Sequence, residues 1–181
     1  MGLDHGLRQS VAEPRDIWDE DNKPTDEESA RYWADWREWR ERTEIITWRK
    51  ENHIHAWFGQ NVQNGVDECE DAVVSRERLA KFVEVCEEIV TRGELIPGQV
   101  YNGQSWTQAT GWVTNWVDGE VLNEDSIKLA EALMPTQSGF FFGSTGYDHW
   151  YFKALVGAIE TLKPVLEKMG QDDTVVYWAS W

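Results

Sequence analysis

Met134–Phe152, MPTQSGFFFGSTGYDHWYF, holds an apolar run, a polar loop of small residues and a helix start in one short span. The aromatics Phe140, Phe141 and Phe142 are bracketed by Ser138-Gly139 and by Gly143-Ser144-Thr145-Gly146. So short a run between turn residues is expected to form a buried strand. At Asp148 the pattern becomes helical: Asp148 caps a segment whose apolar members are Phe152, Leu155, Val156, Ile159, Leu162, Val165, Leu166 and Met169. Pro164 predicts a kink or break near residues 160–163, and Gly170 a stop.

Downstream, Thr174–Trp181 (TVVYWASW) is β-branched and aromatic and reads as a strand. Met1–Leu7 is its expected partner. Residues 8–24 form an acidic loop. Thr25 with Glu28 makes a capping box for a helix that carries Tyr32, Trp33, Trp36 and Trp39 as one stripe, expected to pack on the core.

Thr43–Val62 is expected to be a second helix. Ile46, Lys50, Ile54, Trp57, Phe58 and Val62 share one side, and Arg49, Asn52, His53, Ala56 and Gln60 the other. His53 and His55 then point oppositely, which argues against an HxH metal pair.

Asn64-Gly65 is a turn, residues 67–71 an acidic loop, and Ser75 caps a helix with Leu79, Phe82, Val83, Cys86, Ile89 and Val90 on its apolar stripe up to Gly93. Residues 94–122 set Trp106, Trp112 and Trp116 among Thr, Gln and Asn, the composition of a binding surface. They are expected to form a Trp-rich hairpin or loop excursion centred on Tyr101-Asn102-Gly103 and ending at Asp118-Gly119. Asn123 caps a short helix over 124–133, closed by Pro135. The sum is a single domain over residues 1–181. Its class is α+β, with a small, largely antiparallel sheet and about four helices packed on one face.

Acidic residues outnumber basic ones 33 to 17, a net charge of −16, which excludes direct nucleic-acid binding because no basic footprint exists to displace counterions. Cys69 and Cys86 lack zinc or CxxC spacing and are expected to be reduced thiols in a cytoplasmic protein; no apolar run suits a bilayer. The 12 tryptophans exceed what a core needs, so at least three are expected to be exposed or to line a groove.

The opening MGLD, the segment Trp48-Arg49-Lys50-x-Asn52-x-Ile54-His55-x-Trp57-Phe58, the turn Asn64-Gly65-Val66-Asp67-x-Cys69, and Pro135 to Thr145 with Tyr147-Asp148-x-Trp150-Tyr151 resemble a group of small bacteriophage and prophage proteins. The resemblance covers about half the chain and is most specific at the last motif. It implies a phage-encoded accessory protein in the cytoplasm of an infected host cell, where countering host defences is a common role. Residues 15–42 and 99–119 depart from the group.

Gly143-Ser144-Thr145-Gly146 could offer backbone N–H groups to an anion, but no GK[ST] follows and Asp148 would repel phosphate. Thr136, Gln137 and Ser138 on one side of the expected strand, Ser144, Thr145 and Tyr147 on the other, and Arg49, Asn52 and His53 from the second helix would line a pocket for a planar polar ligand. Trp57 joins them as an expected stacking residue. The alternative use of these hydroxyls and amides is to satisfy loop backbone. No motif supports a catalytic residue, metal ligand or cofactor.

Three functions follow: a non-enzymatic binder of a small nucleotide-like ligand, sequestering a host immune signal; an acidic inhibitor of a host nucleic-acid-binding defence protein; and a hydrolase acting on the same class of ligand. Homo-oligomerisation stays open.

Overall fold

The computed structural model describes residues 2–18, 23–66, 69–139 and 142–181. The elements, in chain order, are β1 Asp4–Gln9, α1 Asp26–Thr43, β2 Glu44–Arg49, α2 Asn52–Asn61, β3 Ala72–Ser75, α3 Arg76–Arg92, β4 Leu95–Thr107, β5 Gly111–Leu122, α4 Glu124–Leu133, α5 His149–Lys168 and β6 Thr174–Ser180. The fold is α+β, with an antiparallel four-stranded sheet in the order β2-β1-β6-β3 and a two-stranded ribbon, β4-β5.

The two end strands pair as expected, from Asp4 opposite Ser180 to Gln9 opposite Val175, and they form the middle of the sheet. Strand alternation sends Leu7, Trp48, Val74, Val175 and Tyr177 into the core, where α2, α3, α4 and α5 contribute Phe58, Phe82, Ala130 and Leu155. Phe58 stacks on Tyr177 with ring centroids 4.4 Å apart. Arg8, next to Leu7 and so on the opposite face, meets α1: its guanidinium lies 5.0 Å from the Trp39 ring and bonds to Asp71 and Glu13. Of the α1 stripe, Trp39 is buried, Tyr32 and Trp36 are half-buried and Trp33 is exposed.

The local start signals hold. Thr25 and Glu28 form the capping box, and Ser75, Asn123 and Asp148 each accept a bond from the first turn of α3, α4 and α5. Cys86 is buried in the core, which pushes its thiol pKa up. No helix among the described residues is long and apolar enough to cross a membrane.

Three expectations need correction. The segment Thr43–Val62 is not one helix: Glu44–Arg49 is β2, paired with β1, and only Asn52–Asn61 is helical. Ile45, Ile46 and Thr47 are β-branched and suit a strand once β1 supplies a ladder, and Lys50, at φ 63°, turns the chain between the elements. Lys50 is therefore an exposed junction residue and not a member of an apolar helix face.

The hairpin turns at residues 108–110; Asn102-Gly103 instead sits at a bulge between Tyr101 and Gln104, with Gly103 at φ 81°. Pro164 does not break α5, which runs on to Lys168. Pro164 and Glu160, whose carbonyl loses its amide partner, are both exposed, so water can take that bond.

Phe140 and Phe141 of the expected central strand lie outside the described residues, and the flanking 135–139 and 143–147 are irregular. Phe142 is buried but is not in a strand. The short edge strand β3 has no counterpart in the sequence reading, because its four residues are too few for a period to appear.

Candidate functional site

The described residues of 135–139 and 142–147 lie in no strand and are held by side chains. Asn52, at the start of α2, donates from Nδ2 to the carbonyls of Phe142 (2.9 Å) and Ser144 (2.7 Å), and its Oδ1 accepts from the Gln137 amide (2.8 Å). The Thr136 amide donates to the Tyr147 hydroxyl at 3.1 Å, and the Thr136 hydroxyl to the Thr145 carbonyl at 3.2 Å. Tyr151 of α5 donates to the Met134 carbonyl at 3.0 Å. The base of β5 joins in: the Leu122 amide donates to the Tyr147 carbonyl at 2.9 Å.

This knot leaves a cleft between the ribbon and the loop. Gln99, Tyr101 and Trp116 stand on one side and Gly143–Asp148 on the other, around a cavity of about 310 Å³. An adjoining cavity of about 250 Å³ reaches Lys50, Glu51, His53, Trp150 and Tyr151. Tyr101 and Trp116 meet edge to face at 6.1 Å on the exposed side of the ribbon.

The cleft floor is electrostatically unusual. Burial, reinforced by the nearby Asp148 carboxylate, pushes the Glu51 carboxyl up to about 7, although its side chain keeps 28% of its surface open to the cleft. Burial pushes His53 down to about 3, so its ring is neutral at physiological pH. The His53 ring lies tilted by 36° against Tyr151 with centroids 4.2 Å apart, its Nδ1 lies 3.9 Å from Glu51 Oε2, and its buried Nε2 has no hydrogen-bond partner among the described residues. Burial, with Tyr147 second, raises the Tyr151 phenol. Titrating groups shifted by burial and a neighbouring charge, gathered in a cleft, make this a candidate functional site. A partly protonated carboxyl and a neutral imidazole can exchange donor and acceptor roles with a polar ring.

Other cavities are less suited. The one of about 190 Å³ beside Arg8 and Trp39 is occupied electrostatically by the Arg8 ion cluster, and the trough of about 580 Å³ between Gln9 and Asp173 is more open and is lined by no aromatic ring.

Of the ten residues expected to bind ligand, Ser144, Thr145 and Tyr147 line the first cavity and His53 the second. Asn52 and Thr136 lie behind the wall, bonding loop backbone, which is the alternative role considered for them. Gln137 and Ser138 are exposed on the same loop. Arg49 does not join the cleft: it is exposed on β2 and pairs with Asp4 at 3.2 Å. Trp57 is buried in the core against Phe58 and Phe82. The sequence reading gave Glu51, Trp150 and Tyr151 no binding role, and it placed Tyr101 and Trp116 on a separate Trp-rich surface and not in this pocket. The aromatic content of 94–122 marked that surface but not its neighbour across the cleft, and Glu51 carried no signal until burial altered it.

Comparison with protein-family models, with curated proteins and with solved structures returned no match, so the chemistry of the cleft is read from its own residues.

Proposed function

We propose that the chain binds a small nucleotide-like ligand in this cleft, its flat ring stacked on Tyr101 and Trp116 and its polar edge met by Glu51 and the Gly143–Tyr147 loop. The observation that carries this reading is the convergence of two exposed aromatic rings with the Glu51–His53 pair in one cleft. Stacking of a base on an aromatic side chain contributes about 1–3 kcal/mol per ring. Glu51 and Asp148 outnumber Lys50 here, so the ring enters and any phosphate faces outward. The resemblance to phage accessory proteins supports a role in sequestering a host signal in the host cytoplasm. The acidic-inhibitor alternative is supported by the net charge of −16 alone.

Titration calorimetry against nucleosides and linear and cyclic nucleotides, ADP-ribose included, tests the proposal. Expected is saturable binding that Tyr101→Ala abolishes and Glu51→Ala weakens. A flat panel with folded protein would overturn it. Mass spectrometry of the recovered ligand separates a binder, which returns it intact, from a hydrolase.

A further inference from the structure

The ribbon carries a surface that the cleft does not explain. Between Tyr101 and Gln104 β4 has one residue more than the matching stretch of β5 from Trp116 to Thr114. A strand alternates faces at every residue, so this extra residue brings Tyr101 onto the face that also bears Gln104 and Trp106. The partners across the ribbon are Trp116 for Tyr101 and Trp112 for Trp106. Four aromatic rings therefore share one face, exposed by 37% (Tyr101), 59% (Trp106), 71% (Trp112) and 57% (Trp116). The ribbon's exposed valines, Val113 and Val117, lie on the other face.

Gln104 and Thr114, paired across the ribbon on this same face, separate Tyr101 and Trp116 from Trp106 and Trp112; a two-stranded ribbon is marginally stable in water, and large exposed rings at its outer end mark a contact surface. Charge identifies what covers it. From Leu95 to Val117 there is no Asp, Glu, Lys or Arg, in a chain whose net charge is −16. Nucleic acid would need cations on this face, and a basic protein would need carboxylates. A second, equally acidic copy needs a neutral patch, since elsewhere the two copies repel.

We infer that the outer part of this face is a homodimer contact, in which two copies pack their Trp106 and Trp112 rings against each other across a twofold axis, leaving Tyr101 and Trp116 to the cleft. The contact is isologous, the same patch serving both protomers. Trp106 and Trp112 lie beyond the cleft, so the inference does not rest on the ligand reading.

Sedimentation equilibrium of the full chain tests it. The wild type is expected at twice its 21.0 kDa mass, with association strengthening as salt rises from about 0.05 to 0.5 M, because salt screens the repulsion between two anions. An acidic surface on a basic partner would weaken with salt instead. Trp112→Lys and Trp106→Ser are each expected to give monomers with unchanged far-ultraviolet circular dichroism, since both side chains are more than half exposed. A wild type that stays monomeric at about 100 μM protein and 0.5 M salt would overturn the inference. So would both variants remaining dimeric, which would move the contact elsewhere, or binding of a different protein through Trp112 without self-association.

Discussion

Gly143 and Lys50 lie back to back with left-handed backbones, φ 88° and 63°, and a Cβ on Gly143 would sit 2.8 Å from the Lys50 Cβ. One contact thus joins the β2–α2 junction to the cleft loop, and the two residues respond to substitution with opposite signs. Gly143→Ala adds both the clash and the positive-φ penalty and is expected to cost about 1–3 kcal/mol. Lys50→Gly relieves a strained backbone and is expected to be neutral or to stabilise by up to about 1 kcal/mol. Urea unfolding of the two variants checks the signs; equal destabilisation would remove the contact from the account.

Asn52 and Arg49 separate a structural role from an exposed one. Asn52→Ala leaves two carbonyls and an amide without their buried partner and is expected to cost about 3 kcal/mol or more, with loss of ligand binding. Arg49→Ala removes an exposed pair with Asp4, worth less than about 1 kcal/mol, and is expected to leave melting temperature and binding unchanged. Thermal melts with calorimetry read both, and loss of binding in Arg49→Ala would put Arg49 back in the site.

Glu51 makes stability depend on pH in a defined direction. Its folded value of about 7 is above the ordinary 4.5, so the native state holds the proton more tightly than the unfolded chain. The native state therefore loses stability as pH rises from about 4.5 to 7, by at most about 2–3 kcal/mol after allowance for partial exposure. His53 acts oppositely: with its folded value near 3 against 6.5, stability rises with pH over that interval. Glu51→Gln isolates the first effect. It is expected to raise the melting temperature at pH 8 and to change it little at pH 5; an equal shift at both would show that Glu51 titrates normally.

The α1 stripe is expected to divide sharply. Trp39, buried and donating from Nε1 to the Ala12 carbonyl at 2.8 Å, is the anchor of the helix. Trp39→Ala is expected to cost about 3–5 kcal/mol, whereas exposed Trp33→Ala should fall within about 0.5 kcal/mol. Chemical denaturation of the pair decides whether the whole stripe packs or only its end.

What the sequence determined by itself was local. Thr25, Ser75, Asn123 and Asp148 cap helices through bonds to residues two or three positions on, so both partners sit in one short window. The apolar period of α3 and the β-branched end strand are equally self-contained. The tertiary structure alone decided the rest, because the deciding partner is distant in the chain. Glu44–Arg49 is a strand only because β1 pairs with it, and its residues also fit a helical wheel. Asn52 became a clamp because three backbone groups of residues 137–144 arrive beside it. The four-ring face exists because one extra residue at a bulge reverses the parity of β4, which composition cannot encode. Glu51 acquired its character from burial beside Asp148, 97 positions away by number, and a carboxyl's proton affinity follows its surroundings in space.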